Sequence, residues 1–337
     1  MNILITGVHG FVGSNLVKAL VPEHTIFGLD IVAPKKEGVK KTFFWEDLPS
    51  TNLGQTQLLD FPKIDAIIHL AGKAHDTRNK STADVYFRVN TGLTQRIFDW
   101  FLTSKSAKKF IFFSTVKSAA DRVEGEFLTE ECVPTPVGPY GESKIKAEDY
   151  IIGHFAPEAL ERPYHNFNDS DSIIKDKQVY IMRPCMIHGP GNKGNLNLLY
   201  GVVSKGIPWP LGAFENRRSF TSIGNLCVVI DGFLTKNVSS GIYHMGDDEA
   251  LSTNELIQVI CEALGKKTHI WCIPKGLMNG VAKVGGWFHL PLNPFRMQKL
   301  TENYVVSNAK IKAALGITRM PVRAKDGLMD TIRSFKQ

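Results

Sequence analysis

The stretch Ile3-Leu4-Ile5-Thr6-Gly7-Val8-His9-Gly10-Phe11-Val12-Gly13 decides the fold. Its first four residues are a short apolar run of strand-forming residues, read as a strand over 3–6. A helical pattern follows over 11–20 and stops before Pro22. Glycine stands at 7, 10 and 13, between the two. Absent side chains permit a tight turn, close approach of a pyrophosphate and tight helix–strand packing. The helix N-terminus then turns free N–H groups toward the phosphates. A glycine triplet alone is weak evidence; a strand before it and a helix after it are the context the motif requires.

Working outward, 25–29 reads as a second strand, closed by Asp30, which lies 23 positions after Gly7. A carboxylate there accepts hydrogen bonds from ribose hydroxyls and repels a 2′-phosphate, which puts NAD ahead of NADP. Lys35-Lys36 and Lys40-Lys41 are the counter-signal, since they could neutralise that phosphate. Strands are expected over 66–70, 109–113 and 179–183, and helices over 142–155 and along Val85, Val89, Leu93, Ile97 and Phe101. This alternation predicts an α/β fold, a Rossmann-type doubly wound parallel sheet covered on both faces. Residues 1–180 are its expected extent. The segment 154–178 breaks the rhythm and reads as a polar surface loop. Beyond Gly189 elements shorten. Helices are expected over 252–264, with Ser252 or Thr253 as cap and Gly265 as stop, and over 308–315, stopped by Gly316. Residues 181–337 then form mainly a smaller C-terminal substrate-binding lobe over the mouth of the sheet, with the chain crossing back to it.

Composition narrows the classes. Charged residues are 22% and the AVILMFWYC set 43% of the 337 residues, an ordinary globular balance. No apolar run is long enough to span a bilayer, and Met1 leads directly into a strand, so neither a membrane partner nor a signal peptide is expected. Five cysteines without a C-x-x-C fit a reducing cytoplasm. No histidine spacing suggests a metal. The net charge of +7 suits an anionic small ligand as well as nucleic acid, and no nucleic-acid motif supports the second.

Tyr140 and Lys144 share a helix face if the helix has begun by Tyr140. A neighbouring ammonium lowers a phenol pKa, so Tyr140 could take a proton from a sugar hydroxyl or return one to a carbonyl. An exposed pair is the commoner outcome for Y-x-x-x-K alone. Ser114 and Thr115 change the balance, because they end the 109–113 strand at the sheet's carboxyl edge.

The set Gly7-x-x-Gly10-x-x-Gly13, Asp30, His69-Leu70-Ala71-Gly72, Asn90, Ser114-Thr115, Tyr140-x-x-x-Lys144, Arg183-Pro184 and His188-Gly189-Pro190-Gly191 resembles the extended short-chain dehydrogenases/reductases, in their nucleotide-sugar epimerase/dehydratase branch. The resemblance covers nearly the whole chain. It implies that Thr115, Tyr140 and Lys144 carry catalysis. It implies a cofactor site of Gly7, Gly10, Phe11, Val12, Gly13, Asp30, Asp47, Leu48, Leu70, Ala71, Gly72, Asn90, Ser114, Tyr140, Lys144 and Pro184. Lys117, Asn195 and Arg218 are the implied substrate contacts, with Arg218 on a diphosphate. Dehydratases of this branch place Asp-Glu after the threonine; Val116-Lys117 stands there, so no dehydration is expected. The implied chemistry is at C4 of a UDP-linked hexose through a 4-keto sugar, as an NAD-dependent epimerase. The alternative within the class is an NAD(P)H-dependent 4-ketoreductase of a 4-keto-6-deoxy amino sugar in bacterial polysaccharide synthesis. A non-catalytic dinucleotide sensor or an RNA-binding relative is the alternative of another class. The resemblance also implies a homodimer, paired through the Val85 to Phe101 stripe and the helix after Tyr140.

Overall fold

The computed structural model describes residues 1–49, 61–73, 82–192, 194–287 and 293–335. The chain starts with β1 (Asn2–Thr6), α1 (Phe11–Leu20), β2 (Thr25–Leu29), β3 (Val39–Phe43) and β4 (Ala66–His69). One long helical stretch follows: α2 (Ala83–Tyr86), a π-type turn over Phe87–Gly92, and α3 (Leu93–Thr103). Next come β5 (Lys109–Phe113), the one-turn α4 (Val116–Ala119), α5 (Gly138–Phe155) and β6 (Gln178–Pro184). The remainder holds β7 (Met186–His188), α6 (Asn195–Ser204), β8 (Phe220–Ser222), α7 (Ile223–Thr235), β9 (Gly241–Met245) and α8 (Thr253–Leu264). It closes with α9 (Lys275–Trp287), α10 (Pro294–Thr301), α11 (Ala309–Leu315) and α12 (Ala324–Ser334).

Seven strands form one parallel sheet in the order β3-β2-β1-β4-β5-β6-β9. The doubly wound architecture expected from the alternation is therefore present, with its order reversing between β1 and β4. Successive strand residues point to opposite faces. Leu4, Ile67, Phe110, Phe112 and Ile181 pack with Ile97, Phe98, Phe101, Ile151 and Phe155 of α3 and α5. Ile3, Ile5, Ile68, Ile111 and Met182 pack on the other side with Leu16 and Val17 of α1, Val229 and Phe233 of α7, and Leu315 of α11. Both faces are dry, which is why these strands read as unbroken apolar runs. A separate core under α6, α8, α9 and α12 holds the C-terminal lobe together. Between β6 and β9 the chain leaves the sheet for β7, α6 and β8, then returns through α7.

Three local results differ from the sequence reading. α5 opens at Gly138, not at 142, because Pro139 sits in its first turn with a pre-set φ. Tyr140 and Lys144 are thus both helical. The regular four-residue stripe from Val85 to Phe101 is interrupted by the π-type turn, so Tyr86, Asn90 and Thr94 face inward where Val85, Val89 and Leu93 were expected to align. The 154–178 segment is tied down. α5 runs to Phe155, Arg162 grips Asp171 with both terminal nitrogens, Phe167 is buried, and Asp169 accepts from Ser240 N (2.9 Å) and Ser239 Oγ (3.0 Å) just before β9.

Candidate active site

The carboxyl ends of β1, β4, β5 and β6 lie in register, Thr6 beside His69, Phe113 beside Met182. Loops leaving these ends carry the site. Gly7 has φ +68°, and a Cβ on it would stand 3.1 Å from Ala71 N. A Cβ on Gly13 would stand 2.5 Å from the Gly7 carbonyl oxygen, so the helix could not approach the turn. Gly10 is the N-cap of α1 and offers no side-chain cap. The first N–H groups of α1, from Phe11, Val12 and Gly13, are left for a ligand. This cradle fits a dinucleotide pyrophosphate. Asp30 sits at the end of β2, its carboxylate accepting from His9 N (3.1 Å) and Ile31 N (2.8 Å). Lys36 donates to Val8 O (3.2 Å) and to Ser14 Oγ, so the counter-signal for a 2′-phosphate stands at the same turn as Asp30. Asp47 caps its own short turn through Phe44 N (2.8 Å), and Leu48 is part of the sheet core.

Beneath the turn runs a buried polar chain. Ala71 N donates to Thr6 Oγ1 (2.9 Å), Thr6 Oγ1 meets His69 Nδ1 (2.7 Å), His69 Nε2 meets Thr94 Oγ1 (2.9 Å), and Thr94 Oγ1 donates to Asn90 O (2.6 Å). Each hydroxyl has one proton. Thr94 spends its proton on Asn90, so it accepts from His69 Nε2, and Nδ1 accepts from Thr6. His69 is therefore the neutral Nε2–H tautomer, and burial, then the Lys144 charge, hold its pKa well below the ordinary range. His69 braces Leu70, Ala71 and Gly72 from below rather than facing a ligand. His75, which with His69 flanks the glycine turn in the sequence, lies outside the described residues.

Asn90, carried inward by the π-type turn, accepts from Lys73 N (2.6 Å) and donates to Ser143 Oγ (2.9 Å). A Cβ on Gly72 would stand 3.0 Å from Asn90 Oδ1 and 3.1 Å from Lys144 Nζ, so these groups converge on the backbone after β4. Tyr140 is half-buried, its ring edge-on to Tyr86 at 6.4 Å. Thr115, the N-cap of α4, hydrogen-bonds the Tyr140 hydroxyl. Lys144 Nζ donates to Phe113 O (2.8 Å) and lies 4.9 Å from the Phe112 ring centre. Burial pulls its pKa down to about 8, against the Glu148 charge. Tyr140 runs the other way: burial raises it, and the Thr115 bond offsets part of the rise. The expected acidification of Tyr140 by Lys144 is not present: burial raises the phenol and the amine is turned to the Phe113 carbonyl.

Ser114 points away from Tyr140, donating its one hydroxyl proton to Glu148, with Ser118 Oγ 3.2 Å from Ser114 Oγ. Glu148 and Arg183 form a fully buried pair, with Arg183 Nε 3.1 Å from both carboxylate oxygens. This pair was not singled out from the sequence, yet a signal existed: Tyr140, Lys144 and Glu148 repeat every four residues on α5. Pro184 is buried at the end of β6 opposite Met245. The following loop reaches back to the glycine turn, since Asn15 Nδ2 donates to Pro190 O (3.0 Å).

The substrate residues lie toward the lobe. Lys117 Nζ donates to Asp121 O (2.9 Å) and Oδ1 (3.2 Å) and stands 4.0 Å over the Tyr304 ring. Lys299 Nζ reaches the same carboxylate at 3.1 and 3.2 Å, and Arg218 Nη1 donates to Lys299 O (2.5 Å). Lys117 and Arg218 thus belong to one basic network that joins α4 to α10. Asn195 opens α6, and its side chain lies outside the described residues.

The model of the NAD dependent epimerase/dehydratase family matches residues 3–246. A UDP-glucose 4-epimerase of Vibrio cholerae is 28% identical over 355 residues, covering 100% of this chain and 96% of its own. An N-acetyl-alpha-D-glucosaminyl-diphospho-ditrans,octacis-undecaprenol 4-epimerase of Escherichia coli O157:H7 is 25% identical over 94% of this chain and 86% of its own. Among solved structures, the UDP-glucose 4-epimerase of Thermotoga maritima with UDP-glucose shares the fold at TM-score 0.70 and 19% identity, over 100% of this chain and 99% of its own.

Proposed function

The chain belongs to the NAD dependent epimerase/dehydratase family, and from that premise we propose that it is an NAD-dependent 4-epimerase of a UDP-linked hexose. The observation that carries the reading is the Tyr140 hydroxyl bonded to Thr115, one helical turn from the Lys144 amine. NAD, when bound, supplies a two-electron acceptor. Tyr140 takes the proton of the sugar C4 hydroxyl and returns it after the 4-keto sugar has presented its other face. Thr115 holds that oxygen within reach. Lys144 keeps a positive charge beside the developing phenolate, fixed by Phe113 O. Arg218, from the 181–337 lobe, and Lys117, from α4, hold the diphosphate end. Asp30 with His9 N favours a ribose carrying free hydroxyls.

The two positions after Thr115 offer no acid for dehydration. Val116 is packed in an apolar cluster with Ala119 and Tyr304, and Lys117 is committed to Asp121. We expect UDP-glucose or UDP-N-acetylglucosamine to be inverted at C4 without net change in NADH absorbance. Tyr140→Phe should lower turnover at least ~100-fold while cofactor affinity is kept, the lower range for a lost general acid–base. Unchanged turnover in that variant would remove Tyr140 from its role. Net NADH consumption with a 4-keto sugar would make the protein a reductase. A homodimer in the cytoplasm, paired through the helices after β4 and before β6, completes the proposal; light scattering tests the pairing.

A further inference from the structure

We propose that the C-terminal lobe docks on an anionic bilayer surface through α9. The inference does not rest on the reaction proposed above. Its first support is the distribution of charge. Between residues 263 and 301 there is no Asp or Glu, while Lys266, Lys267, Lys275, Lys283, Arg296 and Lys299 contribute +6 of the chain's +7. The other 298 residues are close to neutral.

The second support is the outer face of α9. Met278, Ala282 and Gly285 are buried against the lobe and share one stripe. Leu277, Val281 and Val284, spaced by four and three, share the neighbouring stripe and are 62%, 47% and 53% exposed. Trp287 at the helix end is 85% exposed, and Trp271 just before the helix is 56% exposed. Scattered exposed apolar residues are ordinary; five large ones concentrated within 271–287 are not. Lys275 and Lys283 on α9, and Lys267 before it in the chain, are exposed. An apolar stripe, interface-seeking tryptophans and a one-signed rim of lysines are what a helix lying in the headgroup plane needs. Among the described residues no helix is long and apolar enough to cross a membrane, and docking requires none.

A second copy of the chain is the other candidate occupant. Charge argues against it. In a two-fold contact each residue meets its own neighbourhood, so Lys275 and Lys283 would face lysines. An anionic headgroup layer neutralises the same rim.

The test is flotation of the full chain with vesicles of phosphatidylcholine alone and of phosphatidylcholine with about a third phosphatidylglycerol. We expect co-flotation with the anionic vesicles only, a blue shift of tryptophan emission on binding, and release in high salt. Val281→Glu with Val284→Glu should weaken this binding at least tenfold, and so should Lys267→Glu with Lys275→Glu and Lys283→Glu. Both variants should keep the wild-type unfolding midpoint and the wild-type rate on a soluble substrate. Three outcomes would overturn the proposal: no flotation with anionic vesicles, equal flotation of the variants, or a dimer that the Val281→Glu, Val284→Glu variant splits into monomers.

Discussion

Two protons in the site titrate in an order that can be measured. Lys144 has a folded pKa of about 8, below its ordinary value, so its buried charge costs stability below that pH. The cost fades as pH rises from about 8 toward the unfolded value. Lys144→Met should therefore unfold later in urea at pH 6–7, by about 2 kcal/mol after the lost bond to Phe113 O is deducted. The gain should shrink to nothing near pH 10, and the variant should be inactive. Tyr140 is raised by burial, so without ligand its phenolate absorbance, read as wild type minus Tyr140→Phe, should rise at a higher pH than that of a free tyrosine. A phenolate signal at pH 8 without ligand would contradict the arrangement. The identities of these residues were legible in the sequence, because Tyr140, Lys144 and Thr115 sit in fixed order and spacing. Their electrostatics were not, since the direction of a shift depends on burial and on where the amine points. Ser114 shows the same limit. Its position at the end of β5 was readable, but its turn toward Glu148 depends on a partner 34 residues away.

Several elements, β1, α1, β2, β5 and α8 among them, lie where apolar period and caps placed them. Ser252 and Glu255 cap α8 reciprocally, and Gly265 ends it at φ +67°. The hidden feature is the π-type turn over Phe87–Gly92, because one surplus residue leaves no trace in a hydrophobic pattern. Its effect is specific: it turns Asn90 inward to Lys73 and Ser143. Deleting Val89 should regularise the helix, swing Asn90 out, and weaken cofactor binding measured by calorimetry more than it lowers the melting temperature. The second hidden element is the tie between α5 and β6. Glu148→Ala leaves the Arg183 guanidinium buried without its partner and should cost about 3–5 kcal/mol in urea unfolding. Glu148→Leu with Arg183→Met should recover most of that loss, since the pair removed together strands no charge.

Across the molecule, the sheet and the lobe meet at Asp121, which holds Lys117 from α4 and Lys299 from α10. These side chains are about a third exposed, so Asp121→Ala should change stability by less than ~1 kcal/mol. It should instead raise KM for the nucleotide sugar by about tenfold, as freed lysines stop presenting a fixed diphosphate grip. A matching fall in kcat with unaltered KM would place the network in the chemistry instead. Neither the Asp121 contact nor the lysine-rimmed α9 face could be recognised without the fold, because the first joins positions 121 and 299 and the second needs to be known as solvent-facing.

The sheet's last strand, β9, arrives only after residue 240, and α11 covers the same face after residue 308. Until then the first 184 residues have the outer edge of β6 unpaired and only α1 on a face that α7 and α11 later share. We expect a chain cut there to aggregate rather than work as half an enzyme, which a sedimentation assay of the 1–184 fragment checks.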